Sequence, residues 1–495
     1  MNPDLLRSPT AYLAERLGAL PGELGLEAYE AWWEREGRAI TDVIDRGRTP
    51  WLRMFDAFGD RVDEVLLPPE YRRLLLPGYR AGIVWRAFAE GSLRSPYLLG
   101  YVTSFYDPGL YCPYTVSLAT AAPVAKYGGA SLRERFLPQL LRRDDAVWQG
   151  ATWMTEAAGG SDLGAAVQTV ARPAGDRWVL NGDKYFASNI GAELAVVAAR
   201  PEGAPAGVRG LALFLVPRRR EDGSLNYTVR RIKDKIATRS VPTGEVELRD
   251  AAGYLLGTPE GGIYLILEVL TLSRVANSVG SVAVTQRALA DALAFAGRRA
   301  AFGRPVLQHP LLRRQFEERV EGLEASFALA WEAVRLLDEV WQEQHPYSDR
   351  YHLARLVSHL AKYWTAEVAA QTGKWAMEVH GGAGALEEFG VERWLREAMI
   401  LAIWEGTPHR QILDGLEAME RKGAHRLLFD HLGRELGPIE GAGEMAARVE
   451  RHLALPVEER EAEAGDLVHA LAGFVARALR RLAGVAAGGP PGPHS

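Results

Sequence analysis

The chain has one cysteine, Cys112, in 495 residues. A lone thiol excludes an intramolecular disulfide and any cysteine-based metal cluster. Flanked by Tyr111, Pro113 and Tyr114, it is expected to be a small buried thiol, because no base can be placed beside it to make it a nucleophile. No Gly-x-Gly-x-x-Gly follows a strand-like run, so a Rossmann-type dinucleotide site is not supported. Positive charge is not in excess: 58 Lys+Arg stand against 63 Asp+Glu, a net charge of −5, and no global pull toward nucleic acid follows. Residues 1–20 carry Asp4, Arg7, Glu15 and Arg16 and have no apolar signal core. The longest charge-free stretch, residues 108–125, is expected to be broken by Pro113 and Pro123 and does not read as a membrane span. A cytoplasmic protein without a membrane partner is the expectation.

The rest is an ordinary globular composition, 47% hydrophobic and 24% charged, long enough for several domains. Residues 1–150 read as a helical domain. Leu132, Phe136, Leu137, Leu140 and Leu141 recur at helical spacing, and Trp32, Trp33, Trp51, Trp85 and Phe88 are expected in a core. The first 50 or so residues suggest an extension that wraps the body or a partner subunit. Residues 151–258 turn strand-like and read as a small β-domain. There Arg177–Leu180 and Lys184–Ala187 flank Asn181-Gly182, a pair suited to a tight hairpin turn. Residues 259–421 return to long helices, with Trp331, Val334, Leu337 and Trp341 forming an apolar stripe that belongs to a core. Residues 422–495 hold two amphipathic helical stretches and a disordered-looking end at 488–495. With no internal repeat, the pattern gives an α+β multidomain protein.

Chemistry concentrates at Trp404-Glu405-Gly406-Thr407, directly after the apolar run Met399–Ile403. A carboxylate between such a run and a glycine turn is partly desolvated, which raises its pKa and makes it a stronger base once ionised. That property suits removal of a weakly acidic C–H proton. Taken alone, the same four residues read first as the end of a buried helix whose glutamate merely reaches water, because short motifs recur by chance. Gly159-Gly160-Ser161 either lets backbone amides approach a ring or phosphate, or is a plain interdomain loop.

Three further stretches bear on the choice: Thr155-Glu156-Ala157-Ala158-Gly159-Gly160-Ser161-Asp162, Arg299-Ala300-Ala301-Phe302-Gly303 and His380-Gly381-Gly382-Ala383-Gly384. With the Glu405 motif, in this order and spacing, they resemble the acyl-CoA dehydrogenase family of flavoproteins over about residues 85–420. The resemblance implies an N-terminal helical domain, a central β-domain and a C-terminal helical bundle, here with an extra helical tail. It implies FAD as cofactor and an acyl-CoA substrate. Met154 and Thr155 would bind the pyrimidine side of the flavin, with Ser161 beside both flavin and thioester. Phe186 and Ser188 stand where most members carry Trp and Thr; Phe keeps a flat apolar face and Ser a hydroxyl.

The resemblance places Arg299 and Phe302 at the adenosine half of FAD in a neighbouring subunit, where a guanidinium suits pyrophosphate oxygens. Ala301 replaces the usual hydroxyl residue after them. His309 fits a polar position at the next helix start, or is a solvated loop histidine. Glu378, Gly381 and Gly382 match the stretch lying across the partner's pyrophosphate, with Glu378 replacing Gln. Thr407 and His409 would touch the adenine side. Glu405 occupies the position of the catalytic base, and its own amide helps hold the developing enolate oxygen. Gly406 and Arg274 belong to the substrate side. Some members place the base immediately before the residue matching Arg274, but Ser273 cannot serve, so Glu405 is the matched candidate. Shared sites imply an oligomer, commonly a homotetramer built as a dimer of dimers, and an acceptor such as an electron-transfer flavoprotein.

Tyr111-Cys112-Pro113, Trp153–Glu156, Phe186, Ile403–Gly406 and the tail look like the AidB-like alkylation-response branch. Members of that branch act as weak isovaleryl-CoA dehydrogenases and associate with DNA through the tail. DNA needs a basic surface. Residues 424–495 hold 8 Arg, no Lys and 10 Asp+Glu, a balance of −2, and Arg477, Arg480 and Arg481 form one basic edge that also reads as a solvated face.

Overall fold

A computed structural model describes residues 3–487. The chain forms two compact units. One joins Ala31–Leu99 to Tyr106–Ser273; the other joins the N-terminal helices up to Glu30, Gly100–Phe105 and the chain from Arg274 onward.

The first unit is built on strands β1 (Trp51–Phe55), β2 (Arg61–Leu66), β3 (Gly150–Trp153), β4 (Val170–Ala174), β5 (Arg177–Ser188), β6 (Leu194–Pro201), β7 (Ala212–Pro217), β8 (Thr228–Ile232) and β9 (Thr243–Leu256). β1 and β2 pair as a hairpin. The others form one sheet, β3-β6-β4-β5-β9-β7, with β8 on β9 and an added β6–β7 pairing that closes the sheet on itself. β6 and β7 are buried along nearly their whole length, as strands inside a closed sheet must be. Trp153, Phe214, Val216, Val246 and Leu248 fill the centre.

Four sequence expectations change here. Residues 51–66, expected helical, form the β1–β2 hairpin, and Trp51 is 57% exposed instead of in a core. Asn181-Gly182 is no turn: β5 runs straight through it, and the register against β9 shifts between Leu180 and Gly182. Gly182, at φ +152°, takes the bulge that this shift requires. The tight turn lies earlier, where Ala174 pairs with Arg177 around Gly175-Asp176 and Gly175 has φ +69°. Pro113 and Pro123 do not break residues 108–125, which belong to one helix, Pro108–Tyr127. Its hydroxyls hold the neighbouring strand: Gly150 N–H donates to Ser117 Oγ at 2.9 Å, and Thr120 Oγ1 donates to the Ala151 carbonyl at 3.0 Å. Cys112 is half-buried.

The second unit is helical. Its main helices are α1 (Pro9–Leu17), α2 (Gly262–Arg298, which begins in the first unit), α3 (Pro310–Val340), α4 (Asp349–His380), α5 (Glu392–Ile403), α6 (Pro408–Lys422) and α7 (Ala464–Ala487). Among the described residues, the stretch Pro259–Arg298 alone is long and apolar enough to cross a membrane, and 83% of its most apolar window is buried in the protein. Gly373 of α4 lies against the backbone of Leu395 in α5, an approach that a side chain there would obstruct. α1 packs Tyr12 edge-on against Phe327 of α3, and Arg16 reaches Glu324 at 2.5 Å. The tail is more ordered than two stretches suggest: Ala424–Leu436, Ala442–Leu453 and Val457–Ala462 precede α7. Residues 488–495 lie outside the described residues.

Candidate active site

The Glu405 loop joins α5 to α6. Trp404 ends α5, its N–H still donating to the Ile400 carbonyl at 3.0 Å, and Thr407 caps α6 by accepting from Arg410 N–H at 3.4 Å. Between them the chain turns through two positive φ values, +58° at Glu405 and +99° at Gly406. For a glutamate this left-handed conformation costs roughly 1–2 kcal/mol, so the surroundings must impose it. They do so through the loop's carbonyls. Arg274 Nε donates to Glu405 O at 3.2 Å, and Gln411 Nε2 donates to Glu405 O at 3.0 Å and Gly406 O at 3.1 Å. Lys362 Nζ donates to Ala402 O at 2.8 Å and Gly406 O at 2.7 Å. Each clamp is held in turn: Arg274 by Asp414 Oδ2 at 3.1 Å, Gln411 through its Oε1 by His359 Nδ1 at 2.9 Å. Trp404 Nε1 donates to Asn277 Oδ1, and Asn277 Nδ2 donates to Leu401 O at 3.0 Å.

This setting fixes the electrostatics. Burial pushes the Glu405 carboxyl up to about 6, against the lowering pull of Arg274 and Lys362. Burial pushes Lys362 down to about 7, with Glu405 opposing and Arg274 assisting. Burial also takes His359 to about 3, so at neutral pH it is an uncharged hydrogen-bonding partner. The result is a half-buried carboxylate that ionises near neutrality, the condition for a general base working at ordinary pH.

In the same unit, Arg299 and Phe302 sit on a two-stranded turn pairing Ala300 with Pro305 and Ala301 with Arg304. Its tip, Phe302-Gly303, has φ +51° and +79°, and the Phe302 ring is 96% exposed. His309 holds this turn with both ring nitrogens: Nε2 meets Ala301 O at 3.1 Å, and Arg304 Nε donates to Nδ1 at 3.2 Å. That leaves its ring positioning the turn. Arg299 and His409 are exposed. Glu378 is exposed and pairs with Lys374, whereas Gly381 and Gly382 have open space where a Cβ would be. His380 stacks on Phe295 at 4.3 Å, so the ends of α2 and α4, which lead into the Arg299–Gly303 and His380–Gly384 stretches, lie side by side.

The other unit holds the remaining residues. Met154 is buried just beyond β3, and Thr155 O accepts from Tyr185 N–H at 3.0 Å. Trp153 Nε1 donates to Ser188 O at 3.0 Å, so Met154, Thr155, Phe186 and Ser188 are laced together. Phe186 presents a ring 55% exposed, with Lys233 Nζ 4.7 Å from its centroid, between buried Lys184 and Ala187. Ser188 Oγ lies 3.2 Å from Thr243 Oγ1, and Ser161 is exposed. Glu156 accepts from Gln168 N–H at 2.7 Å, Thr169 Oγ1 at 2.5 Å and Lys184 Nζ at 2.6 Å, which pins the Thr155–Ser161 loop.

The family models match by segment: the acyl-CoA dehydrogenase C-terminal domain over 260–419, the middle domain over 151–251 and the AidB N-terminal domain over 26–145. AidB of Escherichia coli is 30% identical over 83% of this chain and 76% of its own length. The chain belongs to the acyl-CoA dehydrogenase family. The 3-methylmercaptopropionyl-CoA dehydrogenase of Ruegeria pomeroyi is 31% identical over 91% of this chain and 80% of its own. The solved structure of Bd2924 in its apo form matches with TM-score 0.86 at 27% identity, covering 98% of each chain.

As a member of this family the chain is an FAD-dependent oxidoreductase. Its residues fit that cofactor: an exposed Phe186 ring stands on a strand between buried Lys184 and Ala187, and open glycines at 381 and 382 leave room for close approach. Sequence reasoning singled out Glu405 and these segments as candidates. It missed Lys362, Gln411 and His359, although His359 and Lys362 flanking Leu360-Ala361 inside α4 are themselves a signal.

Proposed function

We propose that the protein catalyses α,β-dehydrogenation of a short or branched acyl-CoA, isovaleryl-CoA-like, with Glu405 as base. The observation that carries this is the half-buried Glu405 carboxyl at about 6, on a loop whose carbonyls are held by Arg274 and Gln411 at Glu405 itself and by Lys362 at Ala402 and Gly406. Glu405 takes the proton from the carbon next to the thioester carbonyl, and its backbone N–H donates to the thioester oxygen as charge builds there. Bound FAD supplies the acceptor for the β-hydride. By the family resemblance, Met154, Thr155, Ser161, Phe186, Ser188, Thr407 and His409 would hold it, and Arg299, Phe302, Glu378, Gly381 and Gly382 would serve the FAD of a neighbouring subunit, with His309 at the adjoining helix start. Arg274 fixes the Glu405 carbonyl and so aims the base. A short acyl group is supported by the Ruegeria relative, named for a thioester of similar length.

Exposed Phe302 and Leu311 support shared sites in a homotetramer. An electron-transfer flavoprotein is the acceptor we infer, and the cytoplasm the location. The match to the AidB N-terminal domain favours one second reading, an AidB-like flavoprotein of weak turnover that associates with DNA. Against it, Arg480 of the basic edge is taken by Glu324 at 2.8 Å. Anaerobic titration of the flavin-loaded protein with isovaleryl-CoA decides. Bleaching of the visible flavin absorbance in wild type and none in Glu405→Gln is the expected result. A wild-type protein that stays yellow with every short acyl-CoA moves the assignment to the second reading.

A further inference from the structure

Lys362 is 1% exposed, and its neighbours one helical turn away, Ser358, His359, Thr365 and Ala366, are buried with it. A buried ammonium is costly unless its donors are used. Its partners are the carbonyl oxygens of Ala402 and Gly406, which bracket the three residues carrying the base. We propose that Lys362 is a positioning residue for Glu405: it ties the chain on both sides of the base, holding the left-handed turn, and when protonated supplies a positive charge that favours the ionised carboxylate. The proposal rests on the reading of Glu405 as base and adds a residue to which no sequence motif assigned a role.

Two cations bear on Glu405, and they differ. Arg274 is answered by Asp414, itself held by Arg410. The hydrogen bonds of Lys362 go to neutral carbonyls, so its charge is not spent on an ion pair elsewhere. The charged groups acting on Lys362 are Glu405 and Glu367, which favour its protonated form, and Arg274, which opposes it. Those acting on Glu405 are Arg274 and Lys362. Arg355 and Arg410 act on Arg274 from behind, and His359 is neutral near pH 7. Loss of the Lys362 charge therefore raises the carboxyl, and loss of its donors frees Gly406.

The test uses full-length, FAD-loaded protein and a 3-thia-acyl-CoA, in which sulfur replaces the β-carbon, so that the α-proton can leave but no β-hydride can follow. Enolate formation is read as long-wavelength absorbance across pH. In wild type the band should be lost on acidification with a midpoint near the Glu405 value of about 6. Lys362→Gln keeps a donor without the charge, so it should retain most of the band and move the midpoint upward by on the order of one pH unit. Lys362→Met loses both, and should lose most of the band as well. A Lys362→Gln protein with wild-type FAD content and a wild-type midpoint overturns the proposal, even if Lys362→Met fails to fold. Absence of the band from wild type that binds the analogue overturns instead the assignment of Glu405 as base.

Discussion

At the scale of the residue, Glu405, the proposed base, is held at a cost to the fold. Its carboxyl is about 6 in the native state against a model-peptide value near 4.5. The protonated form is thus the one the fold prefers. Stability is present in full below pH 4.5 and falls as pH rises through 6, by up to about 2 kcal/mol. Glu405→Gln should therefore be more stable than wild type at pH 8, and the difference should vanish toward pH 4.5. Denaturant unfolding at both pH values checks this. Equal stabilities at pH 8 would mean the carboxylate is well solvated. A second expectation concerns Gly406, where a Cβ would press on the Gln411 amide at 2.6 Å, at φ +99°. Gly406→Ala should displace that clamp and lower kcat by roughly 10–100-fold with smaller change in KM, because misplacing a base costs rate before it costs binding. Steady-state kinetics at pH 8 separates the two. Glu405 was legible because the apolar run before it and the glycine after it are adjacent in sequence. Lys362, His359 and Gln411 were not, because their roles depend on α4 and α6 crossing the loop, which no local spacing states.

At the scale of the element, the β5 strand shows how a correct local rule gives a wrong outcome. Asn-Gly favours positive φ, and the structure does use positive φ at Gly182, but inside a continuous strand. What decides is pairing: β9 is long enough, Thr243–Leu256, to pair with β5 on both sides of the bulge, and the ladder is worth more than a turn. Thr169 packs where a Gly182 side chain would stand. Gly182→Ala should therefore destabilise the β-unit by roughly 2–3 kcal/mol. A urea midpoint unchanged from wild type would show that the bulge can slide. Two residues later, buried Lys184 reaches Glu156 at 2.6 Å and the Ala198 carbonyl at 2.7 Å. The Thr155–Ser161 motif was legible, but the anchor beneath it was not, since Lys184 and Glu156 are partners only once the sheet closes. Lys184→Met should leave Glu156 buried without its counter-ion and cost about 3–5 kcal/mol. Loss of bound FAD at permissive temperature would accompany it.

At the scale of the whole molecule, the question is whether the tail is an appendage that could serve DNA or a working part of the fold. Its last helix buries Leu467, Val468, Leu471, Val475 and Leu479. At about 1.5–3 kcal/mol for each buried aliphatic side chain, that face approaches the full stability of a typical domain. One arginine of the helix turns inward, while Arg477 and Arg481 are exposed. Arg480 reaches Glu324 at 2.8 Å, and Arg16 reaches the same carboxylate group at 2.5 Å, so one acid joins the N-terminal helix, α3 and the tail. The amphipathic pattern was visible in the sequence, and so was the negative balance of residues 424–495. The inward pairing was not, because Glu324 lies 156 positions away. Truncation after Ala462 should then give aggregated or molten protein instead of a soluble dehydrogenase lacking only DNA affinity. Thermal melting by circular dichroism and size-exclusion chromatography read this directly. A truncated protein that melts as wild type does, binds FAD and bleaches with isovaleryl-CoA would show that the tail is dispensable to the fold. Its basic edge would then be free for another task.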